Sequence, residues 1–199
     1  IELPHSSLEP RFSIGYQMIG LLSLMSLDEK ITELKKRIEF LQIEKLEAEG
    51  KALAEKYKGL YPVLYASNTL YPVAYLIKAA INEGAKIPSF VNIISEANHN
   101  ELQSYVTDAS VNESQHFGFL HLTSPYDHVR ILKRFSVMEE IYKEHGFTVE
   151  TLQGNHTDTL RIFELVLTGY FMATFLAIQK DIDPYTTPLI QEFKKRMTQ

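Results

Sequence analysis

Cysteine is absent from this 199-residue chain, which excludes disulfide bonds, thiolate metal sites and a cysteine nucleophile. A basic excess is also missing: 20 Lys and Arg stand against 25 Asp and Glu, a net charge of −5 that argues against a nucleic-acid-binding protein. The lack of cysteine is compatible with the cytoplasm, where we expect the protein to reside. Hydrophobic residues make up 45% of the chain, too many for a disordered protein.

Long hydrophobic runs are scarce. The longest is "LVLTGYFMATFLAI" at 165–178, which is shorter than the about 20 residues that a spanning helix needs. Arg161 and Glu164 precede it, and Lys180 and Asp181 follow it. We therefore predict a buried core helix and no membrane association. The opening "IELPHSSLEPRF" has neither an initiator Met nor a signal-peptide pattern, and leads us to expect a piece of a longer protein.

Three common ligand and catalytic motifs are missing: GxGxxG, GxxxxGK[ST] and GxSxG. A dinucleotide fold, a P-loop and a hydrolase nucleophile elbow therefore lose support. His116 and His121 lie five positions apart in a strand-like segment, so they would point to opposite faces, and no carboxylate follows at ligand spacing. We predict no metal site.

The first third of the chain is predicted to be helical. The apolar segment 12–25 is typical of a helix packed on the core, and Ser26 with Glu29 forms a capping-box pattern. From Leu27, apolar residues recur at steps of four and three, which predicts an amphipathic helix reaching Lys58 with Gly50 as a candidate break. A solvated helix across the domain is the favoured interpretation, and a dimer contact is the alternative.

Beyond Gly59, short apolar segments alternate with helical ones. Strands are predicted at 61–67, 88–95, 116–123 and 147–154, with helices at 70–86, 99–108, 125–146 and 158–181. This order indicates an α/β domain with a parallel sheet of four or five strands and helices on both faces. One domain is expected over 1–199, with N-terminal helices at 1–58, an α/β core at 59–181 and a C-terminal segment at 182–199.

Two groups of polar residues flank the first helix of this core. Ser67, Asn68 and Thr69 follow the first strand, where small polar side chains bind phosphate or simply cap the next helix. Glu83 ends that helix, and His99 follows the next strand. In a parallel sheet the two lie at opposite ends, so they have separate roles or meet between two subunits. Ordinary surface roles for both remain the alternative.

The segment "YPVLYASNTLYPVAYLIKAAINEGAKIPSFVNIISEANHNEL" resembles the C-terminal half of the bifunctional phosphoglucose/phosphomannose isomerases, which belong to the sugar isomerase (SIS) superfamily. That family reads NEN[AS]K and then PExNHNE, where this chain has "NEGAK" and "SEANHNE". Weaker similarity extends to "SSLEPRFSIGY" and "DPYTTPLIQEFKKRM". The resemblance implies a flavodoxin-like three-layer sandwich. It also implies interconversion of glucose or mannose 6-phosphate with fructose 6-phosphate, without metal or cofactor.

The resemblance also implies roles for individual residues. Glu83 matches the base that moves a proton between C1 and C2, and Arg11 matches the arginine that stabilises the enediolate. His99 matches the histidine that opens the sugar ring in the neighbouring subunit, which implies a homodimer.

Two further positions belong to the C-terminal helix. Lys194 matches a second residue that assists ring opening, with Lys195 as a one-residue alternative. Thr187 falls where a threonine makes room for the mannose epimer.

The chain departs from the family pattern at Gly84, at Ser95, and at 76–78, where the family usually carries RWK. The family also has an N-terminal SIS domain whose Ser/Thr-rich loop binds the phosphate, and this chain shows only the second domain. Catalysis is therefore expected to need that missing domain, because remote phosphate contacts contribute to it. A non-catalytic sugar-phosphate-binding or regulatory module is the alternative, and a pure dimerisation domain is a weaker one.

Overall fold

The computed structural model describes residues 10–105, 115–154 and 159–198. In the described ranges, helices and strands alternate from residue 61 onward. The elements are α1 (Ile14–Leu24), α2 (Asp28–Ile38), α3 (Ile43–Lys56), β1 (Tyr61–Ala66), α4 (Tyr71–Ala80), β2 (Phe90–Ile93), α5 (Ile94–Asn100), β3 (Phe117–Leu122), α6 (Val129–Glu144), β4 (Thr148–Leu152), α7 (Leu160–Ile178) and α8 (Pro188–Met197). A 3-10 turn (Pro10–Phe12) precedes α1, and a π-helical turn (Ile81–Ala85) extends α4.

The four strands form one parallel sheet in the order β2-β1-β3-β4. β1 is central, with Val63 paired to Phe90 on one side and to Phe119 on the other. Its residues 62–66 are buried, as expected for a parallel strand covered on both faces. The predicted α/β class with a parallel sheet is confirmed, and the described residues form four strands of it.

Alternate residues of β1 enter two separate hydrophobic cores. Leu64 and Ala66 pack with α3, α4 and α7 on one face of the sheet. Val63 and Tyr65 pack with α5 and α6 on the other. The second core is aromatic, with the Phe119 and Tyr142 rings stacked 3.8 Å apart between centroids. The prediction of helices on both faces is therefore confirmed.

Helix α7 contains the longest apolar run of the chain. By length and composition it would suffice to cross a membrane, but 61% of its most apolar window is buried inside the protein. Gly169 allows α4 to approach, because a Cβ there would lie 2.4 Å from Ile77 Cγ1. The interpretation as a buried core helix agrees with this packing.

The N-terminal helices differ from the prediction. The segment predicted as a single helix at 27–58 is two helices, and the break lies at 39–42. Gly50 lies inside α3, where a Cβ added to it would lie 2.5 Å from Phe171 Cβ. The Ser26–Glu29 capping box is not formed: Ser26 has φ +57°, and Leu27 occupies the N-cap position without a side-chain bond. The core packing predicted for 12–25 holds only at its start: Phe12 and Ile14 pack against the core, whereas Gly20 is the one buried residue of α1.

The segment carrying His99 also differs from the prediction. The strand predicted at 88–95 is shorter (Phe90–Ile93), and the helix predicted at 99–108 begins at Ile94 and ends at Asn100. A 3-10 turn (Leu102–Ser104) follows. Residues 106–108 lie outside the described residues. The shift places His99 in the last turn of α5 instead of at the start of a helix.

Candidate active-site cleft

Glu83 lies on an unusual backbone turn. Helix α4 ends at Ala80, and the chain continues as the π-helical turn Ile81–Ala85 before Lys86 turns left-handed at φ +54°. Because α4 returns antiparallel to β1, this turn lies at the amino end of the sheet. π-turns occur frequently at functional sites, and here the turn leaves Glu83 half-buried.

A cleft of about 440 Å³ opens beside Glu83. One wall comes from the 3-10 turn and α1, the other from α8, and α4 and its π-turn form the floor. The lining residues are Pro10, Arg11, Ile14, Gln17, Leu76, Glu83, Thr187, Ile190, Gln191 and Lys194. Four predicted site residues, Arg11, Glu83, Thr187 and Lys194, therefore share one cavity although they span nearly the whole chain. Its volume is within the range of small-ligand sites.

Arg11 and Glu83 form an ion pair, with 3.2 Å between Arg11 Nη1 and Glu83 Oε2. The arginine side chain is only 9% exposed, and that of Glu83 is 34% exposed. The second guanidinium nitrogen, Nη2, donates to the carbonyls of Pro184 at 2.8 Å and Tyr185 at 3.1 Å. The guanidinium is thus fixed at one side of the carboxylate, with the cleft open to both.

The segment around Arg11 is held by aromatic residues. Tyr170 on α7 donates its hydroxyl hydrogen to the Arg11 carbonyl at 2.6 Å. The Phe12 ring meets the rings of Tyr170 and Tyr185 edge-on, with centroids 5.4 and 6.0 Å apart. Burial raises the pKa of Tyr170 against the opposing charge of Arg11, and the Glu83 carboxylate adds a smaller increase, so the hydroxyl stays protonated and able to donate.

Thr187 and Lys194 lie on one face of α8. Thr187 occupies the N-cap position, and Lys194 is seven residues further, which is two helical turns. Both line the cleft, whereas Lys195 does not. Lys194 is exposed, so its flexible side chain can reach into the cleft. Of the two lysines left open by the sequence, the geometry favours Lys194.

Lys86 makes contacts that the sequence reasoning missed. Its ammonium donates to the carbonyls of Glu83 at 2.7 Å, Gly84 at 3.2 Å, Asp183 at 2.9 Å and Thr186 at 2.7 Å. Desolvation, and then the charge of Arg11, lower the pKa of Lys86. In the sequence, Lys86 is marked only as the final lysine of "NEGAK". That motif does not indicate its contacts with the carbonyls of Asp183 and Thr186.

Ser67, Asn68 and Thr69 do not line the cleft. They follow β1 at the carboxyl end of the sheet, opposite to the end where Glu83 lies. Asn68 and Thr69 are exposed, while Ser67 is buried, with its Oγ unpaired among the described residues. None of them caps α4 by a side chain, because Leu70 is the N-cap and the Ser67 carbonyl accepts from the Leu70 and Tyr71 amides. The helix-capping alternative is therefore wrong.

His99 also lies at the carboxyl end of the sheet, exposed in the last turn of α5 and outside the cleft. The junction after α5 is fixed by Glu101, whose carboxylate accepts from Tyr65 Oη at 2.9 Å and from Asn92 Nδ2. Glu83 and His99 are thus separated across the sheet, as the parallel strand order predicts.

The histidines of the third strand form no metal centre. No group of three or more His, Asp or Glu side chains is arranged to hold a metal ion within the residues that the structure describes. His116 is exposed just before β3, and His121 is fully buried in the aromatic core between Tyr65 and Phe135. Burial lowers the pKa of His121 to about 4, so this ring is neutral near pH 7.

The parallel sheet with helices on both faces places the chain in the SIS class of sugar isomerase folds. Residues 46–197 match the family model described as the bacterial phospho-glucose isomerase C-terminal SIS domain. The chain belongs to this family, which confirms the resemblance inferred from the sequence motifs.

Known proteins agree with this assignment. The chain is 27% identical over 190 residues to a bifunctional phosphoglucose/phosphomannose isomerase of Aquifex aeolicus, covering 95% of the chain and 58% of that relative. A Thermoplasma volcanium protein of the same name is 31% identical over 96% of the chain and 62% of its own length. The chain thus spans about three fifths of these relatives. The solved structure of glucosamine-6-phosphate deaminase from Thermotoga maritima shares the fold, with a TM-score of 0.59 at 15% identity, covering 87% of the chain and 54% of that structure.

Proposed function

We propose that this chain is the part of an aldose–ketose isomerase that supplies the catalytic base, acting on hexose 6-phosphates. The observation that carries the proposal is the convergence of Arg11, Glu83, Thr187 and Lys194 on one cleft. These four residues were assigned from three separate segments of the sequence. A module that only binds sugar phosphate has no need for a carboxylate base beside a fixed guanidinium. The substrates are glucose or mannose 6-phosphate and fructose 6-phosphate.

The chemistry follows from the ion pair. In the open-chain aldose, the Glu83 carboxylate takes the proton from C2, and the carbonyl oxygen becomes the anionic oxygen of an enediolate. The Arg11 guanidinium, fixed beside the carboxylate, stabilises that charge as it develops. Glu83 then returns its proton to C1 while a proton moves from O2 to O1, which gives the ketose. The reaction needs no outside oxidant or reductant.

Ring opening and recognition involve the remaining residues. Lys194 assists opening of the sugar ring from its position on α8, and Thr187 leaves room for the second epimer. His99 opens the ring in the site of the neighbouring subunit, an assignment favoured by its exposure and by its separation from Glu83. Ser67, Asn68 and Thr69 lie at the carboxyl end of the sheet with His99, so they contact the phosphate in the site that His99 serves and not in the cleft of their own Glu83. The unpaired, buried Ser67 hydroxyl supports this assignment.

The proposal refers to a complete protein with two SIS domains acting as a homodimer in the cytoplasm, without nucleic acid, membrane or metal. Residues 1–199 are its second SIS domain. Large apolar side chains are exposed on α1 and α8, which favours a surface covered by another domain or subunit. They are Leu21, Leu24, Leu189, Phe193 and Met197.

The test is an assay of the complete protein that couples product formation from fructose 6-phosphate to a dehydrogenase. Glu83→Gln should lower kcat on the order of 10²- to 10⁴-fold, because the amide cannot accept the proton. Glu96→Gln on α5 is the matched control, since that carboxylate accepts from Asn100 on the same helix and lies away from the cleft. Equal rates for Glu83→Gln and wild type would refute the base assignment. A wild type that binds but does not convert either sugar would instead support the binding module.

A further inference from the structure

Lys86 connects the turn that carries Glu83 to the segment that leads into α8. Two of its acceptors, the carbonyls of Glu83 and Gly84, belong to the π-turn. The other two, those of Asp183 and Thr186, are about a hundred residues away in sequence. An ammonium with four carbonyls around it and only three hydrogens to donate is saturated with acceptors, so it holds these two stretches of backbone together.

The same distant segment also fixes Arg11. The carbonyls of Pro184 and Tyr185 accept from Arg11 Nη2. Four consecutive carbonyls, 183 to 186, are therefore used by just two cations. Lys86 takes the outer two and Arg11 takes the inner two. Thr187, the next residue, begins α8 and lines the cleft.

The position of α8 depends on this arrangement. Along α8, which the structure describes from end to end, no residue is buried, so side-chain packing within the chain does little to place this helix. Lys86 also adopts the left-handed conformation that residues with a Cβ rarely accept. A glycine would form the turn with less strain, so the contacts of the ammonium account better for a lysine at this position.

We propose that Lys86 is a positioning residue: its ammonium ties the carbonyls of Asp183 and Thr186 to the Glu83 turn and thereby sets Arg11, Thr187 and Lys194 against the base. It does not itself line the cleft or touch substrate. The inference rests on the proposed function for its effect on turnover, but not for its effect on the structure of the C-terminal segment.

The experiment uses the complete protein with Lys86→Met, which keeps the aliphatic stem, and Lys86→Gly, which suits the left-handed turn. Lys133→Met, an exposed lysine on α6, is the control. In both Lys86 variants we expect backbone hydrogen exchange across 183–197 to rise about tenfold or more, since local opening becomes easier. We expect kcat to fall about ten- to a hundredfold with KM changed less than about threefold, because misplaced catalytic groups slow the chemistry. Ethylammonium added to Lys86→Gly should restore part of the protection from hydrogen exchange across 183–197 and part of kcat.

Each outcome decides one part of the proposal. Unchanged exchange across 183–197 in both variants means that Lys86 does not hold the segment. Raised exchange with unchanged kcat overturns the positioning role. Wild-type turnover in Lys86→Gly beside a loss in Lys86→Met shows that only the turn matters, and also overturns it. If the wild type converts no sugar, the proposed function fails, while the exchange comparison still decides whether the lysine fixes α8.

Discussion

The two ends of the sheet carry candidate site residues in opposite states. At the amino end, Arg11 and Glu83 are paired in a cleft that one chain builds by itself. At the carboxyl end, Asn68, Thr69 and His99 are exposed and lie outside that cleft. Among the described residues, the amino-end groups therefore meet each other in a cleft, whereas the carboxyl-end groups do not. Under the proposed function, His99 faces the site of the neighbouring subunit.

The largest effect that tests this contrast comes from mixing two inactive variants of the complete protein. If His99 serves the neighbouring site, a dimer of one Glu83→Gln subunit and one His99→Asn subunit contains one intact site, with Glu83 from one subunit and His99 from the other. Random reassembly should restore about a quarter of wild-type activity, from a background at least about a hundredfold lower. Mixed dimers isolated through two different tags should show about half the wild-type rate per dimer.

The matched control for that mixture pairs Glu83→Gln with the double variant Glu83→Gln/His99→Asn, a combination in which no site is intact. It should stay at background. Isolated mixed dimers without recovered activity would contradict the shared site and would leave His99 as an ordinary surface histidine.

Acid should destabilise the protein through His121, which is buried in β3. Burial lowers the folded-state pKa of His121 to about 4 from its ordinary 6.5. The charge of Glu139 opposes this shift to a smaller extent, and the charge of Lys143 adds to it. Between these values the unfolded chain binds a proton that the folded chain does not. The free energy of unfolding therefore falls as pH drops from about 6.5 to 4, by about 3 kcal/mol from this group.

The check is urea unfolding of the wild type and of His121→Leu between pH 7 and pH 4. The leucine variant should show a shallower loss of stability, because it has no proton to take up. Parallel pH profiles for the two proteins would show that the buried ring makes no such contribution.

The sequence predicted what local patterns and strand order determine. Alternation of short apolar runs with helices indicated the parallel sheet, and parallel order alone separated Glu83 from His99. The motifs identified Arg11, Thr187 and Lys194 through a family resemblance, but not their convergence. That convergence depends on contacts between residues 72 to 174 positions apart, such as Arg11 with Glu83 and with Tyr185, which no local pattern encodes.

Other features were missed because tertiary contacts override local preference. The heptad-like seam from Leu27 favoured one long helix, yet the chain breaks at 39–42 so that α3 can pack with Gly50 against α7. The contacts of Lys86 could not be predicted from the sequence, because its acceptors are main-chain carbonyls, which every residue possesses.

The smallest effect is expected where the chain leaves the family pattern, at Gly84. An added Cβ would lie 3.9 Å from the Pro184 carbonyl and 4.0 Å from Ala173 Cβ, which are ordinary contact distances. Gly84→Ala should therefore leave kcat within about twofold and change the free energy of unfolding by less than about 1 kcal/mol, with alanine favoured for its lower backbone entropy.

Gly169→Ala is the matched control: its Cβ would lie 2.4 Å from Ile77 Cγ1, and the overpacking should cost about 1–3 kcal/mol. Urea unfolding and the coupled assay measure both. A large loss of activity in Gly84→Ala at unchanged stability would show that the cleft needs a glycine at this position. The distances around its missing Cβ would then not explain what the backbone at the amino end of the sheet requires.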